Sequence, residues 1–124
     1  LMNWQVYLLP LSDAWVAALK TTPARAGGGA GGPADPARPG RFFRGTFRLD
    51  QPADTFLDMT GYRKGVAWVN GHNLGRYWDI GPQKRLYCPA SWLKAGDNEV
   101  VVFDLHLLEA APLRGAPVLE GISR

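Results

Sequence analysis

The sequence predicts an all-β fold, a β-sandwich or jelly roll, and three observations carry that expectation. Apolar and polar residues alternate at period two, as where Phe43, Gly45, Phe47 and Leu49 interleave with Arg44, Thr46 and Arg48, the mark of a strand with one buried face. Several such short runs follow one another, punctuated by Gly, Pro and Asn. Between two of them stands Asn70-Gly71, a pair that tolerates the positive φ angles of a tight hairpin turn. A chain of 124 residues is the size of one domain and can hold a core without metal or disulfide staples.

In chain order, residues 4–9 (WQVYLL) are a strand candidate stopped by Pro10. Ser12 and Asp13 are placed to cap a short helix through AWVAALK. Residues 23–40 read PARAGGGAGGPADPARPG, where 15 of 18 positions are Gly, Ala or Pro. Such a stretch buries little apolar surface and is expected to form a flexible loop. The chain therefore divides into a linker strand with a short helix (1–22), the loop (23–40) and the sandwich proper (41–124).

Within the sandwich, residues 43–49 form the first strand, 50–53 a turn, and 55–59 a second strand ended by Gly61. Residues 64–69 form a third, with Val66 and Trp68 on one face and Ala67 and Val69 on the other. Trp68 thus reads as core, Asn70 and Gly71 as turn formers, and Gly75 as a place where the backbone bends or packs closely. Residues 77–79 and 85–87 are short strand pieces, 89–93 one helical turn and 94–98 a loop. The run EVVVFDLHL at 99–107 is the longest strand, and three consecutive valines suit burial on both faces.

Composition narrows the function classes. The net charge of +3 arises from 14 basic and 11 acidic residues, and the densest basic group, Arg38, Arg41, Arg44 and Arg48, is dispersed. A nucleic-acid partner would call for a concentrated stripe, so none is expected. Cys88 is the single cysteine, which excludes an internal disulfide and a multi-cysteine zinc site and leaves it to act as a small buried hydrophobe. One cysteine suits a reducing compartment and equally an exported or periplasmic bacterial protein, so the compartment stays open. No apolar run approaches the ~20 residues of a membrane span, and no secretory leader pattern opens the chain. The opening residues already read as strand, so a piece of a longer polypeptide is expected.

Five Trp and 11% aromatics mean rings in a core or rings offered to a ligand. Arg76, Tyr77, Trp78 and Asp79 lie where the alternation stops. Three readings stay open for them: docking onto a neighbouring domain, internal packing, or sugar contact in which Asn73 would join. Catalysis is less well served. A glycosidase needs two carboxyl groups roughly 5 to 10 Å apart. Asp50, Asp54 and Asp97 fall in predicted turns, Asp58 and Asp104 in strands, and Glu99, Glu109 and Glu120 near or beyond the last strand. No pair stands out. His72, expected to be solvated beside the turn, and His106 lack metal-binding spacing, so no metal or other cofactor is expected. Nucleophile-elbow and phosphate-loop motifs are absent from the sequence.

These residues resemble a family. FRGTF at 43–47, DTFLDM at 54–59, KGVAWVNGHNLGRYW at 64–78 and GPQ at 81–83 look like the C-terminal portion of family-35 glycoside hydrolases, the β-galactosidases. Leu86-Tyr87, Pro89, Trp92-Leu93 and Asn98 through Leu105 continue the likeness, and the opening WQVY with LPL is similar to the strand and linker preceding that module. The resemblance implies a parent enzyme that removes terminal β-linked galactose with retention, using two Glu on an N-terminal TIM barrel. Neither barrel nor Glu pair is in these residues, so no catalytic residue carries over. It further implies a jelly-roll module of the galactose-binding-domain-like kind that packs on the barrel and other domains and serves docking and stability. The alternative is an autonomous carbohydrate-binding module with weak affinity for β-galactosides; a stand-alone enzyme is a third, weaker possibility. Fold by itself does not confer the ligand.

Overall fold

The computed structural model describes residues 11–19, 40–107 and 109–117. The strand expected at 4–9 and all but the last residue of the 23–40 loop lie outside them. The described chain is nearly all β. A short helix α1 (Asp13–Ala17) precedes strands β1 (Arg41–Leu49), β2 (Thr55–Asp58), β3 (Lys64–Val69), β4 (His72–Trp78), β5 (Arg85–Cys88), β6 (Gly96–Asp104) and β7 (Arg114–Ala116), with one 3-10 turn at Ala90–Trp92. A four-stranded sheet has the order β1-β6-β3-β4, and a three-stranded sheet has the order β5-β2-β7. Every pairing is antiparallel.

β6 holds the larger sheet together because it pairs with β1 on one side and β3 on the other. Its valines are buried on both faces, as the sequence suggested: Val100 and Val102 join the core between the sheets, and Val101 joins a second core on the outer face. Ala67 and Val69 of β3 enter the first core, while Trp68 enters the second. Trp68 is core, but under α1 rather than between the sheets.

A five-residue helix is far too short to be stable alone, so packing must hold α1 in place. Ser12 Oγ accepts from the Trp15 amide at 3.3 Å, Val16 is buried against Trp68 and Val101, and Trp15 meets Phe42 edge-on at 5.6 Å. The Arg44 guanidinium donates to the carbonyls of Val16 at 3.0 Å and Ala17 at 3.4 Å, satisfying acceptors that a helix end leaves open.

The helix stops at Ala17, short of the full AWVAALK run, and three strands differ from the sequence expectation. β6 begins at Gly96 and ends at Asp104, so residues 96–98 are strand rather than loop and 105–107 are not strand. β7 went unseen because Arg-Gly-Ala carries no alternating apolar pattern. β4 is a full strand of 7 residues rather than a short piece beginning at Tyr77. A bulge hides it: Ala67 pairs with Gly75 but Trp68 pairs with Asn73, leaving Leu74 as an extra residue, so the alternation skips a beat. Gly75 takes φ +105° there, a conformation that L side chains rarely adopt.

Gly65 faces Asp104 in the β3–β6 register, and a Cβ at this position would collide with the Phe103 carbonyl oxygen and crowd the Tyr77 hydroxyl. Since the colliding atom is backbone, it cannot rotate away. Gly65→Ala is therefore expected to destabilise the fold by ~3 kcal/mol or more, read as a lower urea midpoint and a fall in soluble yield.

Candidate functional site

The β3–β4 hairpin carries every residue that the sequence offered as a contact. At its turn Asn70 has φ 48° and Gly71 φ 80°, the paired positive angles of a type I′ turn. The Asn70 amide group donates to Trp92 O and to Asn98 Oδ1, both at 2.8 Å, and accepts from the Glu99 amide at 2.9 Å. Both of its donor hydrogens are thereby used within the fold. Asn98, 1% exposed, extends the network to Lys94 and Gly96. Asn73 Oδ1 accepts from the Gly75 amide at 2.7 Å and so braces the bulge. His72 is exposed, as expected, yet stacks on Trp92 with centroids 4.7 Å apart.

At the far end of the hairpin the two neighbouring rings part company. Tyr77 points inward and is 1% exposed. Its hydroxyl donates to Asp104 Oδ2 at 2.8 Å and lies 3.0 Å from the Phe103 carbonyl oxygen. Asp104, fully buried, also accepts from the amides of Arg63, His106 and Leu107, each at 2.8 Å. Burial pushes the Asp104 carboxyl up, but the bonds from His106, Arg63, Leu107 and Tyr77 outweigh it and hold the group below its ordinary value. Burial, then the Asp104 carboxylate, push the Tyr77 hydroxyl far above the usual tyrosine range. Both groups keep one protonation state through neutral pH, which marks a structural clamp.

Trp78 points outward and is 41% exposed. The Lys64 ammonium stands 4.1 Å from its ring centroid. Arg63 Nε pairs with Asp79 at 2.8 Å, and the Asp79 amide donates to the Arg63 carbonyl at 2.7 Å. Ile80, 71% exposed, follows at once. Arg76, exposed, sits opposite Val66 on the same sheet face as Lys64 and Trp78. A cleft of about 280 Å³ opens between Thr60, Tyr62, Trp78 and Lys84. A larger cavity of about 630 Å³, with apolar walls including Phe43, Phe47, Leu57 and Val100, lies where β1 and β7 border the space between the sheets.

This arrangement coincides with a known domain: residues 41–98 fit the family model described as β-galactosidase, galactose-binding domain. The β3–β4 hairpin lies within the matched residues. Human β-galactosidase-1-like protein 2 is 55% identical over 64 residues, which is 51% of this chain and 10% of that protein. β-Galactosidase 8 of rice is 51% identical over 69 residues, covering 52% of this chain and 10% of its own. The β-galactosidase of Xanthomonas manihotis is 44% identical over 91 residues, covering 70% and 12%. The chain thus spans about a tenth of the length of these curated relatives.

The five residues offered as contacts do not form one cluster. Arg76, Trp78 and Asp79 gather at one end. Tyr77 is withdrawn into the core, with 1% of its surface exposed. Asn73, opposite Trp68, is two β3 residues from the level of Arg76 and four from that of Trp78, about 7 and 13 Å along the strand. Lys64 and Arg63 were missed, although they complete the exposed end. Counting back from the Asn-Gly turn aligns Lys64 with Tyr77; only the bulge brings Lys64 opposite Trp78. Among the described residues, no group of three or more His, Cys, Asp or Glu side chains is placed to hold a metal ion, and no helix is long and apolar enough to cross a membrane.

Tyr77→Phe is expected to cost about 1.5–3 kcal/mol, the range for a hydrogen bond to a charged group, measured by urea denaturation. Because the folded Asp104 value lies below 3.8, its contribution is complete above that pH and is lost as pH falls through the lower folded value. Asp104→Asn should lower stability at neutral pH and flatten the loss in acid, checked by urea midpoints across that range.

Proposed function

We propose that the chain serves as a non-catalytic β-sandwich module, C-terminal in a family-35 β-galactosidase whose barrel removes terminal β-linked galactose, and that it docks against the barrel or another domain and stabilises it. The observation that carries this reading is the exposed end of the hairpin. Trp78 and Ile80 remain open to solvent, at 41% and 71%, beside the ordered Arg63–Asp79 pair, while the neighbouring Trp68 and Tyr77 are consumed by the cores. Large open rings beside fixed polar groups are typical of surfaces that another protein covers. The short share of each relative spanned by the chain supports a partner within the same polypeptide.

A second reading, direct carbohydrate binding, draws on the same open indole and on the description of the matched domain. Against it, the Lys64 ammonium already stands over the Trp78 ring, and the Asn73 side-chain oxygen already accepts from the Gly75 amide. A sugar stacking on that side of Trp78 would first have to displace Lys64.

Trp78→Ala in the full-length β-galactosidase is expected to lower the melting temperature and soluble yield, at a cost on the order of 2 kcal/mol for a buried interface ring, while kcat on a β-galactoside stays within twofold. Unchanged melting with a selective rise in KM would favour the sugar reading. So would a change in Trp fluorescence when the chain is titrated with galactose at millimolar concentration, near −4 kcal/mol on the affinity scale.

A further inference from the structure

The outer face of the four-stranded sheet is balanced in charge on one side and unbalanced on the other. Along β1, Arg44 meets Glu99 of β6 at 3.6 Å and Arg48 meets Asp97 at 3.5 Å. Lys64 of β3 and Arg76 of β4 occupy the same face, since Lys64 is opposite Trp78 and Val66 is opposite Arg76. Neither has a carboxylate partner among the described residues. Lys64 rests instead on the Trp78 ring, and Arg76 reaches into solvent. Half-buried Val66 and Phe103 pair beside them. The result is an apolar strip with an open indole, flanked by two unpaired cations.

We infer that this patch receives an acidic segment from elsewhere in the same longer polypeptide. An apolar side chain of that segment lies against Trp78 and Val66, and an Asp or Glu carboxylate sits between Lys64 and Arg76. The inference rests on the docking reading above and adds the chemistry of the partner. Charge complementarity selects the occupant. A purely apolar segment would strip water from two cations and leave them without a counter-charge, a desolvation that nothing offsets. A basic segment would be repelled. A carboxylate instead receives charge-assisted hydrogen bonds from both groups, with the Arg76 guanidinium able to bind it in bidentate fashion. The curated relatives, of which this chain spans about a tenth, hold ample polypeptide to supply the segment.

Carbodiimide coupling of the full-length gene product, followed by mass spectrometry, tests this directly, because the reagent joins an amine to a carboxylate in contact with it. Lys64 is expected to be joined to an Asp or Glu outside residues 1–124. The cross-link should vanish in Lys64→Arg, which keeps the charge and removes the amine, while oxidative footprinting still finds Trp78 protected. The double reversal Lys64→Glu with Arg76→Glu should abolish that protection. If Trp78 is protected but Lys64 couples to nothing outside this chain, the acidic partner is overturned and the docking reading survives. Should Trp78 be freely oxidised in the full-length product, or should that product contain nothing beyond these residues, both fall. Protection of Trp78 only on adding galactose or galacturonate would replace the acidic segment by a sugar.

Discussion

The phase of β4 is the constraint on which the rest of the structure depends. Side chains on a strand alternate, so a slip of one residue exchanges its two faces. Counting back from a two-residue Asn70-Gly71 turn without interruption would place Tyr77 on the outer face and Arg76 between the sheets. The extra residue Leu74, admitted by the positive φ of Gly75, shifts the remainder of the strand by one. Arg76 thereby escapes burial, Tyr77 turns into the core, and Trp78 turns out beside Lys64. One bulge settles which aromatic ring builds the fold and which stays open to solvent.

Once Tyr77 points inward, it meets the buried carboxylate of Asp104, and that group ties several elements together. It takes the Arg63 amide ahead of β3, the Tyr77 hydroxyl near the end of β4, and the amides of His106 and Leu107 just past β6. A carboxylate stripped of water is costly unless it is well satisfied; four donors turn that cost into a specification of where three strand ends must lie. Gly65 belongs to the same design, because the close approach of β3 to the Phe103 carbonyl leaves no room for a Cβ. At the opposite end of the hairpin Asn70 and Asn98 do similar work with neutral amides. The hairpin is thus clamped at both ends, which fixes the exposed Trp78, Arg76 and Arg63–Asp79 group on rigid backbone.

The outer face of the larger sheet is divided between two tasks. Towards β1, α1 covers Trp68 and Val101, and the Arg44 guanidinium binds the last helical carbonyls. Towards β4, Val66 is half-buried at the rim of that second core and Trp78 stays open, and the cations there face solvent or rest on the indole. That contrast within one sheet suits a module that completes its own core on one side and offers the other to a larger assembly.

The sequence by itself determined the all-β class, the positions of β1 to β3, the I′ turn, the doubly buried valines of β6 and the opposite facing of Trp68 and Ala67. These follow from period-two patterning and from the backbone freedom of Asn and Gly, which are local properties. Its motifs also carried the resemblance to β-galactosidases that the family match supports over residues 41–98. The tertiary structure alone decided the burial of Tyr77, the pairing of Lys64 with Trp78, the role of Asp104 and the existence of β7. Each depends on which residues distant in sequence come to lie opposite one another. A bulge alters that pairing through a single residue whose effect is read only across the strands, and a three-residue strand takes its identity from the neighbour to which it bonds.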